Sequence, residues 1–388
     1  WNVAYTPSGD DGVFGEKQSD VAILSSDVQA ATDGTTLVTA TAIFEDLGLH
    51  MGQITVHLLD GSSYTFVRAL YCHYVRRNIR HLKDEEREQY FNAFMTMYHH
   101  NTSVGQSMYG GHYRGLRDFV GAHLAAGGTR DADQFHDGMG FLTQHAALTN
   151  EFELSMQSIY PHMSMPYWDY TEDGEIVHAA QTIEVAWEQE IWGKDWFGNA
   201  TGANHIVEEG RFAYMKAYTS HQEDVVTNPY GYMRSPWNMG KSPFVTRVHK
   251  FCDVSFSYQS WPFCADHYNL TFTIDTWYNW VWAGGYTPHG PIHYYIGGYT
   301  NCGDLTAEFD ALGLNEAQAR DFAVWMVMLP KNFWRSYVTE SPQSCSHDAP
   351  QSACHMKCML DYTNKEDVRY FVNMTYGWAK DIGNSRAV

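Results

Sequence analysis

The chain has 388 residues, 44% hydrophobic and 15% aromatic, the composition of a folded protein with a sizeable core rather than a disordered one. Its 45 acidic against 25 basic residues give a formal charge of −20, which excludes nucleic acid for want of a basic stripe and disfavours anionic membrane surfaces. No run of about 18 apolar residues occurs, so no membrane span is expected.

Residues 1–63 read as strands. The segments VAILSSD, TTLVTATAIF and QITVHLLDG are rich in β-branched residues and separated by Gly and Asp turns. From about Ser63 the apolar spacing changes to three and four, first in YTFVRALYCHYVRRNIRHL and then in DEEREQYFNAFMTMYHH. That spacing predicts helices, the second beginning at Asp84 and Glu85. Two further helices are predicted over 113–126 and 143–158. Residues 160–260 read as aromatic loops with short helices at most, followed by a helix over roughly 315–329. The C-terminal part is a Cys-containing loop followed by KEDVRYFVNMTYGWAK. The expected layout is therefore a β-rich N-terminal region, 1–63, and a mainly α body, 64–388.

Three features point to the secretory route. Sequons occur at Asn101, Asn199, Asn269 and Asn373, where glycosylation is expected. The chain starts at Trp1, as a processed N-terminus would. Seven cysteines are present, at 72, 252, 264, 302, 345, 354 and 358. In an extracellular protein these predict disulfides of undetermined connectivity with one thiol left over. The 252/264 pair brackets a short segment. A metal knuckle of Cys345, Cys354, Cys358, His347 and His355 is the alternative for the last three, but its spacing matches no standard zinc pattern, so a stapled loop is favoured.

The stretch QFHDGMGFLTQHAALTNEFE holds His136 in a Gly-rich turn and His145 at the start of an amphipathic helix. Upstream, His123 ends a helical pattern, with His112 as its competitor in YGGHYRG. Downstream, His289 and His293 are spaced i, i+4 and share one helix face. Pro291 between them is tolerated only in a first turn, so the pair belongs at a helix start. Imidazoles without thiolates suit copper, zinc or iron.

At these residues the chain resembles the tyrosinases, catechol oxidases and related coupled binuclear copper proteins. His136, Phe141-Leu142, His145, Phe152-Glu153 and then PYWDY at 166–170 are similar to the first copper site of that family. DFVGAHL is similar to the segment supplying the first ligand, which makes His123 that residue. HGPIHYYIGG is similar to the first half of the second site. The resemblance covers roughly residues 64–335. It implies a tyrosinase-like central four-helix bundle with long loops, copper ligands His123, His136, His145, His289 and His293, and oxidation of a phenolic small molecule with dioxygen.

The pattern breaks at the sixth ligand. The matching helix is DFAVWMVMLPKNFWRSY, with Trp325 and Trp334 in place but Val327 and Met328 where the family carries His. A second site with two donors binds metal less tightly. Gln144 and Ala146 replace the usual neighbours of His145. Gly290 stands where many tyrosinases carry Asn, which favours diphenols over monophenols. Asp169 in PYWDY reads as a fold buttress or a support for a ligand His. The alternative function is a non-catalytic tyrosinase-fold glycoprotein with a structural or self-assembly role and one copper or none. A zinc hydrolase is a third reading. It needs a carboxylate base beside the histidines, with Asp137 and Glu153 as candidates.

Overall fold

A computed structural model describes residues 2–7, 23–30, 36–42 and 47–374, apart from 59, 201, 203–204, 221–224, 248–249, 252–253 and 298–305. The chain divides into two compact units. One is Trp1–Arg77 with His162–Ser164, and the other is Asn78–Pro161 with Met165–Val388.

The first unit is the β-rich region. β1 (Asn2–Pro7), β4 (Gly48–His57) and β5 (Ser63–Cys72) form an antiparallel sheet in the order β1-β4-β5. β2 (Ile23–Ala30) and β3 (Thr36–Ala42) make a separate antiparallel pair. β5 corrects the helix expected from Tyr64. Tyr64, Val67, Leu70 and Tyr71 do fall at helical spacing, yet β5 pairs with β4 from His57↔Ser63 to Gly48↔Cys72. A tight turn closes the hairpin, with the Ser62 amide donating to Asp60 Oδ1 at 2.9 Å. Strand pairing satisfies the backbone of a segment rich in Tyr, Thr, Phe and Val, residues that lose side-chain freedom in a helix.

The second unit is helical. α1 (Asp84–His99) starts at the predicted acidic pair, and the Lys83 amide donates to Glu86. α2 (Thr102–Tyr109) is capped by Asn101. α3 (Leu116–Gly127) and α4 (Gly140–Ile159) occupy the predicted helical stretches within a turn at each end. α5 (Tyr170–Ala180) and the single turn α6 (Glu184–Trp187) follow. α7 (Cys264–Thr273) and α8 (Trp277–Tyr286) had no sequence expectation, α8 being aromatic on several sides with Gly284-Gly285 in its last turn. α9 (His289–Gly297) begins at His289, so Pro291 does lie in a first turn. α10 (Thr306–Ala311) precedes α11 (Glu316–Arg335), which is capped by Asn315 and runs on through Pro330. Two short antiparallel pairs complete it: β6 (Lys250–Phe251) with β7 (Val254–Ser255), and β8 (Thr339–Glu340) with β9 (Lys357–Cys358). A helical run over 365–374 lies in the C-terminal segment. Among the described residues no helix is long and apolar enough to cross a membrane.

The core lies where α1, α3 and α4 meet the aromatic loops. Phe91 and Met156 are fully buried, and Phe91 packs edge-on against Phe197 and Phe212. PYWDY serves this core. Asp173, fully buried, accepts from Trp168 Nε1 at 2.7 Å and from Arg80 at 2.6 Å. Asp169 caps α5 through Thr171, so it buttresses the fold.

Cys345 and Cys354 form a disulfide with Cα atoms 6.0 Å apart, the stapled loop rather than a metal knuckle. Cys72, Cys264 and Cys358 are free, so Cys264 does not pair with Cys252. Cys252 and Cys302 themselves lie outside the described residues.

Candidate metal centre

The histidines reach one place from four separate backbone positions. α3 presents His123 one turn beyond Phe119, whose burial at the core fixes that face of the helix. α4 presents His145. The loop between them presents His136, and its shape is set by Asp133. That buried carboxylate accepts from the Phe135 and His136 amides at 3.0 and 2.9 Å, folding the turn on itself. α9 presents His289 and His293 from adjacent turns.

His123, His136 and His145 can each offer one ring nitrogen such that all lie within 4.8 Å of one another. Their ring centroids are 4.8 Å apart for 123–136 and 5.6 Å apart for both 123–145 and 136–145. The second pair adjoins them. His289 and His293 are 4.3 Å apart, with His293 6.4 Å from His136 and His289 6.2 Å from His145. Phe141 stands between the groups, 5.0 Å from His145 and 4.8 Å from His289, while Phe135 backs His123 and His145.

The hydrogen bonds leave one nitrogen of each oriented ring for a metal. His145 Nδ1 donates to the Phe141 carbonyl at 2.7 Å, and its Nε2 is buried without a hydrogen-bond partner. A buried lone pair of this kind is costly unless something binds it. His289 Nδ1 donates to the Gly285 carbonyl at 3.2 Å. His136 Nδ1 lies 2.9 and 3.0 Å from the two Asp133 oxygens, the carboxylate–histidine arrangement that orients a metal ligand.

Electrostatics favour the neutral form of four of the five rings. Burial, followed by repulsion from His136 and His145, pushes His123 down to about 4, although Asp133 opposes this. Burial and then the other four imidazoles push His293 down to about 3. His145 and His289 are lowered chiefly by burial. Neutral imidazoles are the form that binds copper or zinc.

Several neighbours escaped the sequence reading. Asp133 is one, though its spacing of three before His136 was a visible cue. Lys331 and Arg335, from α11, reach it across 198 and 202 positions, with Lys331 Nζ at 2.8 Å and Arg335 at 3.8 Å. Gly127 is another. A Cβ there would sit 3.0 Å from His136 Cε1, so the glycine makes room for the ring. No sequence cue marks it.

Other candidates fall away from the cluster. His112 is exposed and outside it. Glu153 accepts from the Met165 amide at 3.0 Å, and Asp137 pairs with Arg335 at 3.0 Å, so both are engaged elsewhere than as a base beside the trio. Val327 and Met328 lie on α11, but their side chains are outside the described set. Trp334 is buried against Trp237.

A family model described as the common central domain of tyrosinase matches residues 113–312, a span holding all five histidines. The tyrosinase-like protein tyr-3 of Caenorhabditis elegans is 24% identical over 157 residues, which make up 40% of this chain and 19% of that protein. The chain thus aligns with about a fifth of the curated relative's length.

Proposed function

Because the chain belongs to the tyrosinase family, we propose that it is a secreted copper oxidoreductase acting on phenols or catechols with dioxygen. The observation that carries this reading is the trio of His123, His136 and His145, with the buried, unpartnered Nε2 of His145 turned to no protein group. The donor set fits copper, since burial favours neutral His123 and His145 and no thiolate is among the donors. His289 and His293 are the proposed donors of a second ion.

Copper held there would supply electron transfer from catechol to dioxygen, two catechols and one dioxygen giving two quinones and two waters. The chain's own residues fix the geometry. Asp133 holds His136, the Phe141 carbonyl holds His145, and the Gly285 carbonyl holds His289. Phe135 and Phe141 line the cluster with apolar surface. Secretion and glycosylation are part of the proposal. The Cys345–Cys354 disulfide and the exposure of Asn101, Asn199, Asn269 and Asn373 support them.

A second reading is favoured by Val327 and Met328, which leave the second site with two imidazoles. There the protein is a non-catalytic member of the family with one copper or none. Elemental analysis of the purified native chain separates the two. Copper near two per chain with catechol turnover supports the oxidase. One copper or none, without turnover, supports the non-catalytic form.

A further inference from the structure

A cavity of about 270 Å³ is lined by none of the five histidines. Its walls come from α1 at Tyr98, α3 at Leu116 and Val120, the end of α9 at Gly297, and the loops over 215–246. They hold two cations, Arg234 and the exposed Lys216, and no carboxylate. In a chain with 45 acidic against 25 basic residues, that is a local reversal of charge.

Arg234 is the fixed cation of the two. Its Nη1 donates to the Gly240 and Ser242 carbonyls at 3.2 and 2.7 Å, and its Nη2 to the Phe244 carbonyl at 2.8 Å. The guanidinium also lies over the Tyr232 ring, 5.2 Å from its centroid. These carbonyls engage part of the guanidinium's fork of N–H donors and bring no negative charge. Half-buried Arg80, Arg130 and Arg335 each pair with a carboxylate, whereas no carboxylate among the described residues pairs with Arg234. Burial works against its charge, and only the Tyr232 phenol works for it. A desolvated cation without a counter-ion is stabilised by an anion that enters beside it. Arg247 is also buried and held by carbonyls alone, but it does not border this cavity. Arg234 does, so an anion has room to reach it.

The rest of the wall selects the kind of anion. Val120, Met215, Met233 and Val245 are apolar, and the two thioethers with Tyr98 and Tyr218 suit an aromatic ring. At about 30 Å³ each, roughly nine heavy atoms fill the space, the size of one ring bearing a carboxylate. A free phosphate would leave the apolar wall unused. We propose that this cavity binds a small arylcarboxylate, with the carboxylate on Arg234 and the ring against Met215 and Met233. Val120 and Met233 also wall a second cavity, of about 420 Å³, which His123 lines. One wall therefore separates the acid from the proposed metal centre. The site does not depend on copper being bound.

The test titrates the full chain, stripped of metal, with phenylacetate in a calorimeter near neutral pH. Phenylacetate is expected to bind. Phenylacetamide, nearly the same shape without the charge, should bind about ten- to a hundredfold more weakly, the range for a hydrogen bond to a charged group. Arg234→Met should weaken phenylacetate by the same factor. Val245→Trp, at a wall position that is already 39% exposed, fills the cavity and should abolish binding. It repeats the measurement should the arginine variant fail to fold, and the comparison of acid with amide needs no variant. A parent that ignores phenylacetate overturns the proposal, as does equal binding of the amide or undiminished binding by either folded variant. Loss in His145→Phe with retention in Val245→Trp would place the acid at the histidines instead. Displacement of phenylacetate by inorganic phosphate at equal concentration also overturns the proposal, leaving a plain anion site.

Discussion

Lys331 sets its ammonium 2.8 Å from the carboxylate of Asp133 and so joins α11 to the loop that carries His136. Burial pushes the Asp133 carboxyl up, but hydrogen bonds from His136 and Lys331 outweigh it and hold the group well below the usual carboxylate range. The helix carrying Val327 and Met328 therefore still acts on the centre, through the carboxylate that holds the proposed ligand His136.

Replacing that carboxylate should loosen His136. Asp133→Asn is expected to lower copper affinity by about 10- to 100-fold, the usual effect of losing such a support. Lys331→Met leaves a buried carboxylate with one strong partner fewer and should cost about 1–3 kcal/mol of stability. Chelator competition measures the first and denaturant unfolding the second. Unchanged copper affinity in Asp133→Asn would show that the loop holds His136 without it.

His145→Phe offers a different signature. It removes a buried Nε2 with no partner but also the Nδ1 bond to the Phe141 carbonyl, two opposing effects, so the metal-free protein should unfold at nearly the same temperature. Copper should raise the melting temperature of the parent, by about 2.7 kcal/mol in stability at a hundredfold excess over Kd. That increment should shrink or vanish in the variant. If copper stabilises both equally, His145 is not a ligand.

Gly127→Ala probes fit. The added methyl would lie 3.0 Å from His136 Cε1 and 3.2 Å from Nδ1, so the ring must move by a few tenths of an ångström. Weaker copper binding with little change in metal-free stability is expected. By contrast, a Cβ at Gly290 would meet only the Gly285 carbonyl, at 3.6 Å. Gly290→Asn should therefore fold normally and raise monophenol relative to diphenol turnover. A ratio that does not move would count against that position as the discriminator.

Acid should destabilise the metal-free protein. His123 is pushed from 6.5 to about 4 in the folded chain, and His293 to about 3. Between those values and 6.5 the unfolded chain binds more protons than the folded one, so stability falls as pH drops through that window and is fully present above it. Thermal unfolding should show a melting temperature that declines steadily from about pH 7 to about pH 5. His293→Leu should flatten the curve. A flat parent profile would mean that the imidazoles are not buried together.

The sequence by itself determined the helical body and the β-rich start, and it singled out the five histidines proposed as ligands. These are local matters: β-branched runs between turns, three-and-four spacing, and His pairs at spacings that one helix face or one loop can carry. It misread 64–72, because Tyr64, Val67, Leu70 and Tyr71 satisfy the helical period while β4 supplies the hydrogen bonds that decide for a strand. Only the tertiary structure decided that α3, α4, α9 and the Asp133 loop bring their imidazoles to one point. Only it revealed Lys331 and Arg335 behind Asp133, the space that Gly127 leaves for His136, and the cavity that Arg234 borders. Each of those depends on which faces of distant segments meet, and no spacing within a single segment encodes that.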